Sequence, residues 1–333
     1  MGVTTTGDDL ARAPGELVRR LEAHRRELTG FCYRMLGSAF EAEDAVQETL
    51  VRAWRAYDRF EGRSSLRSWL YRIASNVCFD ALEGRRRRAR PVDLSPAGSV
   101  DAELVWLPGD TWVEPIPDAR VVPAGAGPEE AVLARESIRL AFVAALQHLP
   151  PRQRAVLILR DVLRWRAAEV AELLGTTVVS VNSLLQRART TLASQDLRSG
   201  ELHDPADARQ QALLRRYVDA FERYDIDALV ALLHEDATMS MPPLGLWLRG
   251  PGDIGRWMLT RGIECKGSRL VPTTANGAPA VAQYRPSGPG GAHRPWNLQV
   301  LDVAGDRVVA INGFLDTRLF GLFGLPDDPD PHG

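Results

Sequence analysis

The chain has 333 residues, 45% of them hydrophobic and 25% charged, which excludes a fully disordered or collagen-like chain. Single cores stop growing at about 250–300 residues, so two or three domains are expected. The net charge of −2 hides a segmental pattern: residues 1–90 sum to +4, 91–127 to −5, 128–200 to +3 and 201–333 to −4. Two basic blocks around an acidic spacer suit two contacts with a polyanion. Cys32, Cys78 and Cys265 lack CxxC or Cys/His spacing, so no disulfide framework, metal or cofactor is expected, and a reducing cytoplasm fits. No apolar run nears the roughly 20 residues of a membrane span, and the first residues carry no signal-peptide core. All basic residues except Lys266 are arginine.

In the first block, Ser38-Ala39-Phe40-Glu41 has the pattern of a capping box. Val46, Leu50, Trp54 and Tyr57 then form one apolar stripe, with Glu41, Glu43, Asp44, Gln47 and Glu48 mostly on other faces. A second helix follows the loop Glu61–Ser64, striped by Leu66, Trp69/Leu70, Ile73, Val77 and Ala81, and runs out at Gly84 into Arg85-Arg86-Arg87-Arg88. Those arginines, with Arg63, Arg67, Arg72 and Asn76 among Trp69, Tyr71 and Phe79, have the composition of a single-strand binding surface. A solvated helix end and a core Trp69 are the plainer alternatives. Residues 91–127 read as a linker, with seven prolines or glycines between Pro108 and Gly127. Its tryptophans, Trp106 and Trp112, are costly to leave in water and are expected to pack.

Helices are expected at about 129–148, 151–163, 167–174 and 177–194. Pro151 suits a first helical position, and Gly175 marks the turn of a helix-turn-helix. Thr177, Ser180, Asn182, Ser183, Gln186, Arg187 and Arg189 alternate with Val178, Val181, Leu184, Leu185, Ala188 and Leu192. That polar face either reads base edges in a major groove or is simply solvated. Beyond about 205, helices near 207–223 and 227–233 precede period-2 stretches with hairpin turns at Asn276-Gly277 and Gly305-Asp306, an α+β pattern.

Residues 41–88, EAEDAVQETLVRAWRAYDRFEGRSSLRSWLYRIASNVCFDALEGRRRR, resemble region 2 of sigma-70 factors of the extracytoplasmic-function (ECF) group. Residues 149–192, LPPRQRAVLILRDVLRWRAAEVAELLGTTVVSVNSLLQRARTTL, resemble their region 4, and YVDAFERYDIDALVALLHEDATM (217–239) resembles an appended SnoaL-like tail. The resemblance implies two all-α helical domains, the second with the helix-turn-helix, followed by an α+β SnoaL-like cone. The expected segments are 14–91 (region 2), 92–127 (linker), 128–196 (region 4) and 205–333 (SnoaL-like).

The resemblance also implies roles. Asp44, Gln47 and Glu48 would dock on the β′ clamp helices of core RNA polymerase, with the β flap a second contact. Arg63, Ser64, Ser65, Arg67, Arg72 and Asn76, helped by Arg85, Arg86, Arg87 and Arg88, would capture the −10 element of promoter DNA. Ser180, Asn182, Ser183, Gln186 and Arg187 would read the −35 element. Many relatives carry a basic residue where Asn182 and Leu184 stand, so the −35 preference is not transferable. The tail's Tyr217, Met239, Met241 and Trp247 are expected to line an apolar cavity. Met241 stands where isomerases of this shape keep their carboxylate base, which argues against catalysis. The expected function is an alternative sigma factor, without catalysis, whose tail modulates activity and takes a small ligand or none. The alternatives are an enzyme using Asp236 or His234, and a helix-turn-helix regulator that never engages polymerase. No membrane partner is expected.

Overall fold

The computed structural model describes residues 14–62, 64–123, 125, 127–195, 200–204 and 207–329. They form two compact units that do not follow chain order. The first combines residues up to 85 with 119–134 and 145–195; the second combines 86–118, 135–144 and 196 onward.

The first unit is helical. It contains α1 (Pro14–Glu22), α2 (Arg25–Leu36), α3 (Ala39–Ala56) and α4 (Leu66–Leu82). The Ser38 side chain caps α3 by accepting from the Glu41 amide at 3.2 Å, as its spacing predicts. Val46, Leu50 and Ala53 are buried along α3, whereas Trp54 is 53% exposed. The expected stripe therefore drifts: after Leu50 the buried position is three residues on, not four. α5 (Pro128–Glu136) and α6 (Leu140–Leu146) replace the single helix expected at 129–148, and residues 135–144 between and within them are counted in the second unit. The break at 137–139 lies where Ser137 and Arg139 are buried and Arg139 reaches Asp302 at 2.7 Å. α7 (Pro151–Leu157) continues into a wider π turn over Ile158–Val162. α8 (Ala167–Leu173) and α9 (Val178–Ala193) form the expected helix-turn-helix, with Gly175 at φ 61° in the left-handed region.

Buried Arg154 ties the start of α7 to α2. Its guanidinium donates to the carbonyls of Met35, Gln147 and Leu149 and to Gln147 Oε1. Burial without a carboxylate partner pulls its pKa down to about 10, and burial does the same to Arg34.

The second unit holds α10 (Ala208–Glu222), α11 (Ile226–Val230), β1 (Leu233–Ser240), β2 (Trp247–Arg249), α12 (Pro251–Leu259), β3 (Arg269–Ala275), β4 (Ala278–Arg285), β5 (Arg294–Ala304), β6 (Arg307–Phe314) and α13 (Arg318–Leu322). One sheet runs in the order β2-β1-β6-β5-β4-β3, antiparallel except for the β1–β6 pair. The Asn276-Gly277 turn has both residues at positive φ, the geometry of a two-residue hairpin. It also joins distant segments. Asn276 Oδ1 accepts from the Ile116 amide at 2.9 Å, and its Nδ2 donates to the Ile138 carbonyl at 2.6 Å.

Residues 91–118 of the acidic spacer are part of this unit, whereas 119–127 belong to the first. Val100, Ala102 and Leu104 join the core formed by α10–α12 and the sheet, and Gly98 N donates to the Trp247 carbonyl. Trp112 is buried as expected; Trp106 is 63% exposed, because its strand-like segment meets only the chain around Leu244.

Candidate functional site

The acidic face of α3 carries Asp44, Gln47 and Glu48 exposed while Ala45, Val46 and Thr49 are buried beneath them. Arg25 donates to Gln47 Oε1 at 3.1 Å, and Glu48 pairs with Arg52 at 2.6 Å. These contacts are on the surface, where ion pairs contribute about 0–1 kcal/mol, so a basic partner can displace them.

Of the candidates for the −10 element, Arg63 lies outside the described residues. Ser65 caps α4 by accepting from the Ser68 amide at 3.1 Å, which commits its hydroxyl to the helix. Arg72 and Asn76 are exposed one turn apart on α4. Arg67 is turned inward: it donates to Glu27 Oε2 at 2.7 Å and stacks over Tyr71 and Trp165 at 5.4 and 5.1 Å from the ring centres. Burial pushes the Glu27 carboxyl up, but hydrogen bonds from His24 and Arg67 outweigh that and hold it below its usual range. Ser64, Ser68 and Arg72 share a cleft with Glu169, Glu172 and Leu173 of α8. Trp69 packs on Phe60 at 4.9 Å and is buried, and Tyr71 is buried too, so neither offers a free stacking face.

The arginine run divides. Arg85 pairs with Glu41, and Arg86 and Arg87 are exposed. Arg88 departs from the expected DNA-binding set. It is 7% exposed and donates to the carbonyls of Trp112 and Gly109 at 2.7 and 3.3 Å, with Glu114 at 3.8 Å. Those partners already take the donors that a phosphate would need.

On α9, Asn182, Ser183, Gln186 and Arg187 are exposed and Ser180 is half-buried, while Val181, Leu185 and Ala188 form the buried side. Thr177 caps the helix by accepting from the Ser180 amide at 3.1 Å. Arg189 is held by Asp161 at 2.7 Å. Val178, read from sequence as inward, is 42% exposed, and Val179 beside it is 78% exposed. The first turn of α9 thus presents apolar side chains beside its polar face. Helical spacing alone groups Val178 with the core, because it cannot tell where the supporting helices end.

In the second unit a cavity of about 50 Å³ is walled by Tyr217, Phe221, Met239, Met241, Trp257 and Met258, with Gln283, Trp296, Asn297, Gln299 and Gly313 on the sheet side. Trp247 departs from the expected lining. It pairs with Ser240, whereas Met239 pairs with Leu248, and neighbouring positions on a strand face opposite sides. Its indole instead donates to the Ser95 carbonyl at 2.8 Å. Burial pushes the Tyr217 phenol up, and its hydroxyl donates to Gln299 Oε1 at 2.6 Å. His234 and Asp236 do not line the cavity. His234 Nδ1 accepts from the Asp236 amide, and Asp236 pairs with Arg249 at 2.9 Å on the surface. No carboxylate or histidine is among the lining residues. Among the described residues there is no cluster of metal-ligating side chains, and no single helix is long and apolar enough to cross a membrane.

Three family descriptions match this chain: Sigma-70 region 2 over residues 21–88, Sigma-70 region 4 over 139–192, and SnoaL-like domain over 214–311. The chain is 50% identical over 317 residues to the ECF RNA polymerase sigma factor SigG of Mycobacterium tuberculosis (strain ATCC 25618 / H37Rv), covering 94% of this chain and 85% of that protein. It is 33% identical over 224 residues to SigJ of the same strain, covering 67% and 64%. The crystal structure of M. tuberculosis SigJ matches with a TM-score of 0.58 at 25% identity, covering 93% of this chain and 100% of that one. Half of the residues are thus shared with one relative along nearly the whole chain, through both helical regions and the cone. The chain belongs to the ECF RNA polymerase sigma factors, non-catalytic subunits that bind core polymerase and promoter DNA through regions 2 and 4.

Proposed function

We propose that this sigma factor docks on core polymerase through Asp44, Gln47 and Glu48 and reads the −35 element with Asn182, Ser183, Gln186 and Arg187. Arg72, Asn76, Arg86 and Arg87 face the −10 region, which Arg67 joins once α4 separates from Trp165. In functional terms residues 14–91, 128–196 and 205–333 act as region 2, region 4 and a regulatory module. The observation that carries this reading is the two-sided α9: beyond its first turn, Asn182, Ser183, Gln186 and Arg187 are exposed over a buried side of Val181, Leu185 and Ala188. Such a helix suits direct readout in a major groove.

The SnoaL-like module regulates and does not catalyse. Supporting this, its cavity wall holds no carboxylate or histidine, and the Tyr217 proton is already given to Gln299. A general base must reach the proton it takes, and the one thiol on the wall, Cys265, is pushed by burial toward its protonated form, which is not a base.

Run-off transcription with core enzyme tests the assignment. The full chain should direct transcription from its promoter. Reversing both acidic charges, Asp44→Lys with Glu48→Lys, should abolish core binding and transcription while circular dichroism and melting temperature stay near those of the parent. Unchanged affinity of the folded double variant for core polymerase would refute the docking face.

A further inference from the structure

The cavity of the second unit contains a chain of amides whose polarity can be followed from end to end. Ser268 Oγ donates to the Cys265 carbonyl at 2.7 Å, so its oxygen accepts from Gln283 Nε2 at 3.0 Å. Gln283 Oε1 then accepts from Gln299 Nε2 at 2.8 Å, and Gln299 Oε1 accepts from the Tyr217 hydroxyl at 2.6 Å. Every donor and acceptor orientation along this row follows from its neighbour, which also fixes Asn297. Its Nδ2 is turned to Gln283 Oε1 at 3.5 Å. That leaves Asn297 Oδ1, which is buried and has no hydrogen-bond partner. Asn297 itself is 6% exposed and lines the cavity. The space it occupies depends on Gly313, where a Cβ would come within 2.8 Å of Nδ2 and 3.0 Å of Oδ1.

A buried carbonyl oxygen without a donor costs about 1–3 kcal/mol, and a ligand that supplies the donor recovers that cost. The remaining wall is mostly apolar: Phe221, Leu229, Ile254, Trp257, Ile311 and three methionines, with Cys265 and Trp296 beside them. No charged side chain lines the cavity, so an ionised ligand would be desolvated without compensation. A volume of about 50 Å³ is below the roughly 150 Å³ of a cavity known to take benzene, so a ring enters only as the wall yields. Met239, Met241 and Met258 are the side chains most able to yield, since an unbranched thioether repacks at small cost.

We infer that this cavity is the binding site for a small neutral ligand: one apolar ring bearing a single hydroxyl or N–H donor, which Asn297 Oδ1 accepts. The inference rests on the reading of the module as regulatory rather than catalytic, and names the chemistry of what it senses. Phenol and indole are the minimal probes of this class; toluene has the ring without the donor, and benzoate replaces the donor with a charge.

Titration calorimetry on the full chain should give one site for phenol, at least tenfold tighter than for toluene, with benzoate weaker still. In the chain labelled with ¹³C-methyl methionine, phenol should shift the Met239, Met241 and Met258 signals and leave Met35 in place. Asn297→Leu should bring phenol to the affinity of toluene. Gly313→Ala, which crowds the amide while leaving it in place, should weaken both ligands. The ligand series on the parent chain needs no variant to fold. Toluene binding as tightly as phenol, benzoate binding as well as either, or no methionine shift at millimolar phenol would each overturn the inference. Run-off transcription with and without phenol is read separately: binding without any change in transcript removes the regulatory reading and leaves the ligand chemistry standing.

Discussion

The Arg67 guanidinium stands 5.1 Å from the centre of the Trp165 ring, so an arginine of region 2 is covered by an aromatic residue of region 4. Glu27 completes the hold at 2.7 Å. A cation–π contact of this kind is worth about 0.5–2 kcal/mol, which corresponds to several-fold in an affinity that needs the arginine free. Trp165→Leu should therefore tighten binding of the free protein to single-stranded −10 DNA by roughly threefold to tenfold. It should also cost the helical unit about 2–4 kcal/mol, because Trp165 is buried. Fluorescence anisotropy on a non-template strand checks the first effect and denaturant melts the second. Weaker DNA binding by the folded variant would mean that Trp165 does not mask Arg67.

The recognition helix separates base reading from phosphate binding. Asn182→Ala or Gln186→Ala should each cost roughly 1–3 kcal/mol on the cognate −35 element and much less on scrambled sequence. Arg187→Ala should weaken all sequences alike if it meets phosphate, and only the cognate one if it meets guanine. Val179, exposed on the first turn, should sense a thymine methyl: Val179→Ala should lose about 1 kcal/mol on thymine and nothing when uracil replaces it. Competitive binding to point-substituted duplexes decides each case. Selectivity that survives all three polar substitutions would mean the face is solvated rather than base-reading.

Local rules carried much of this fold into the sequence. The Ser38 cap, the left-handed Gly175 and the Asn276-Gly277 hairpin each depend on two to four adjacent residues, and each stands where its pattern predicts. What the sequence concealed depends on partners far along the chain. Arg88 looks like one of four solvated arginines until the Gly109 and Trp112 carbonyls, more than 20 residues on, take its donors. The break between α5 and α6 has no proline or glycine to announce it; it coincides with Arg139 reaching Asp302 across 163 positions. Trp247 misses the cavity because the irregular stretch between β1 and β2 sets the register, pairing Trp247 with Ser240 and Leu248 with Met239. The cavity was legible only in its apolar half. Tyr217, Met239 and Met241 are there, but the amides that give it polarity, Gln283, Asn297 and Gln299, come from β4 and β5, where no local pattern marks them as facing a cavity.

Two neighbouring arginines of the run should behave as opposites. Arg88→Ala strips the buried Trp112 carbonyl of its donor and should destabilise the second unit by about 1–3 kcal/mol. Arg86→Ala, at an exposed position, should leave the melting temperature unchanged and lower the slope of log affinity against log salt by about one. Paired thermal melts and salt titrations on promoter DNA read both. A salt slope altered by Arg88→Ala in the folded protein, with stability intact, would return Arg88 to the DNA-binding set.

His203 gives the second unit a pH dependence on the acid side of neutrality. Burial lowers its pKa from 6.5, against a raising hydrogen bond to Gln210 and the charges of Asp118 and Asp204, with Arg135 acting in the same sense as burial. The sign follows from which state takes the proton first. Above pH 6.5 the imidazole is neutral in both states and costs nothing. As pH falls through 6.5 the unfolded chain is protonated before the folded one, so stability declines, then levels off below the folded value. Asp118 works the other way: burial raises its carboxyl pKa, so acidification favours the folded state at that site. The two are separated by substitution, because His203→Gln keeps a hydrogen-bonding side chain and removes only the titration. Denaturant midpoints taken from pH 7.5 to 5.5 should fall more steeply for the parent than for His203→Gln. Parallel profiles would mean that His203 is protonated equally readily in the folded and unfolded chain, and that its burial beside Gln210 is not maintained in solution.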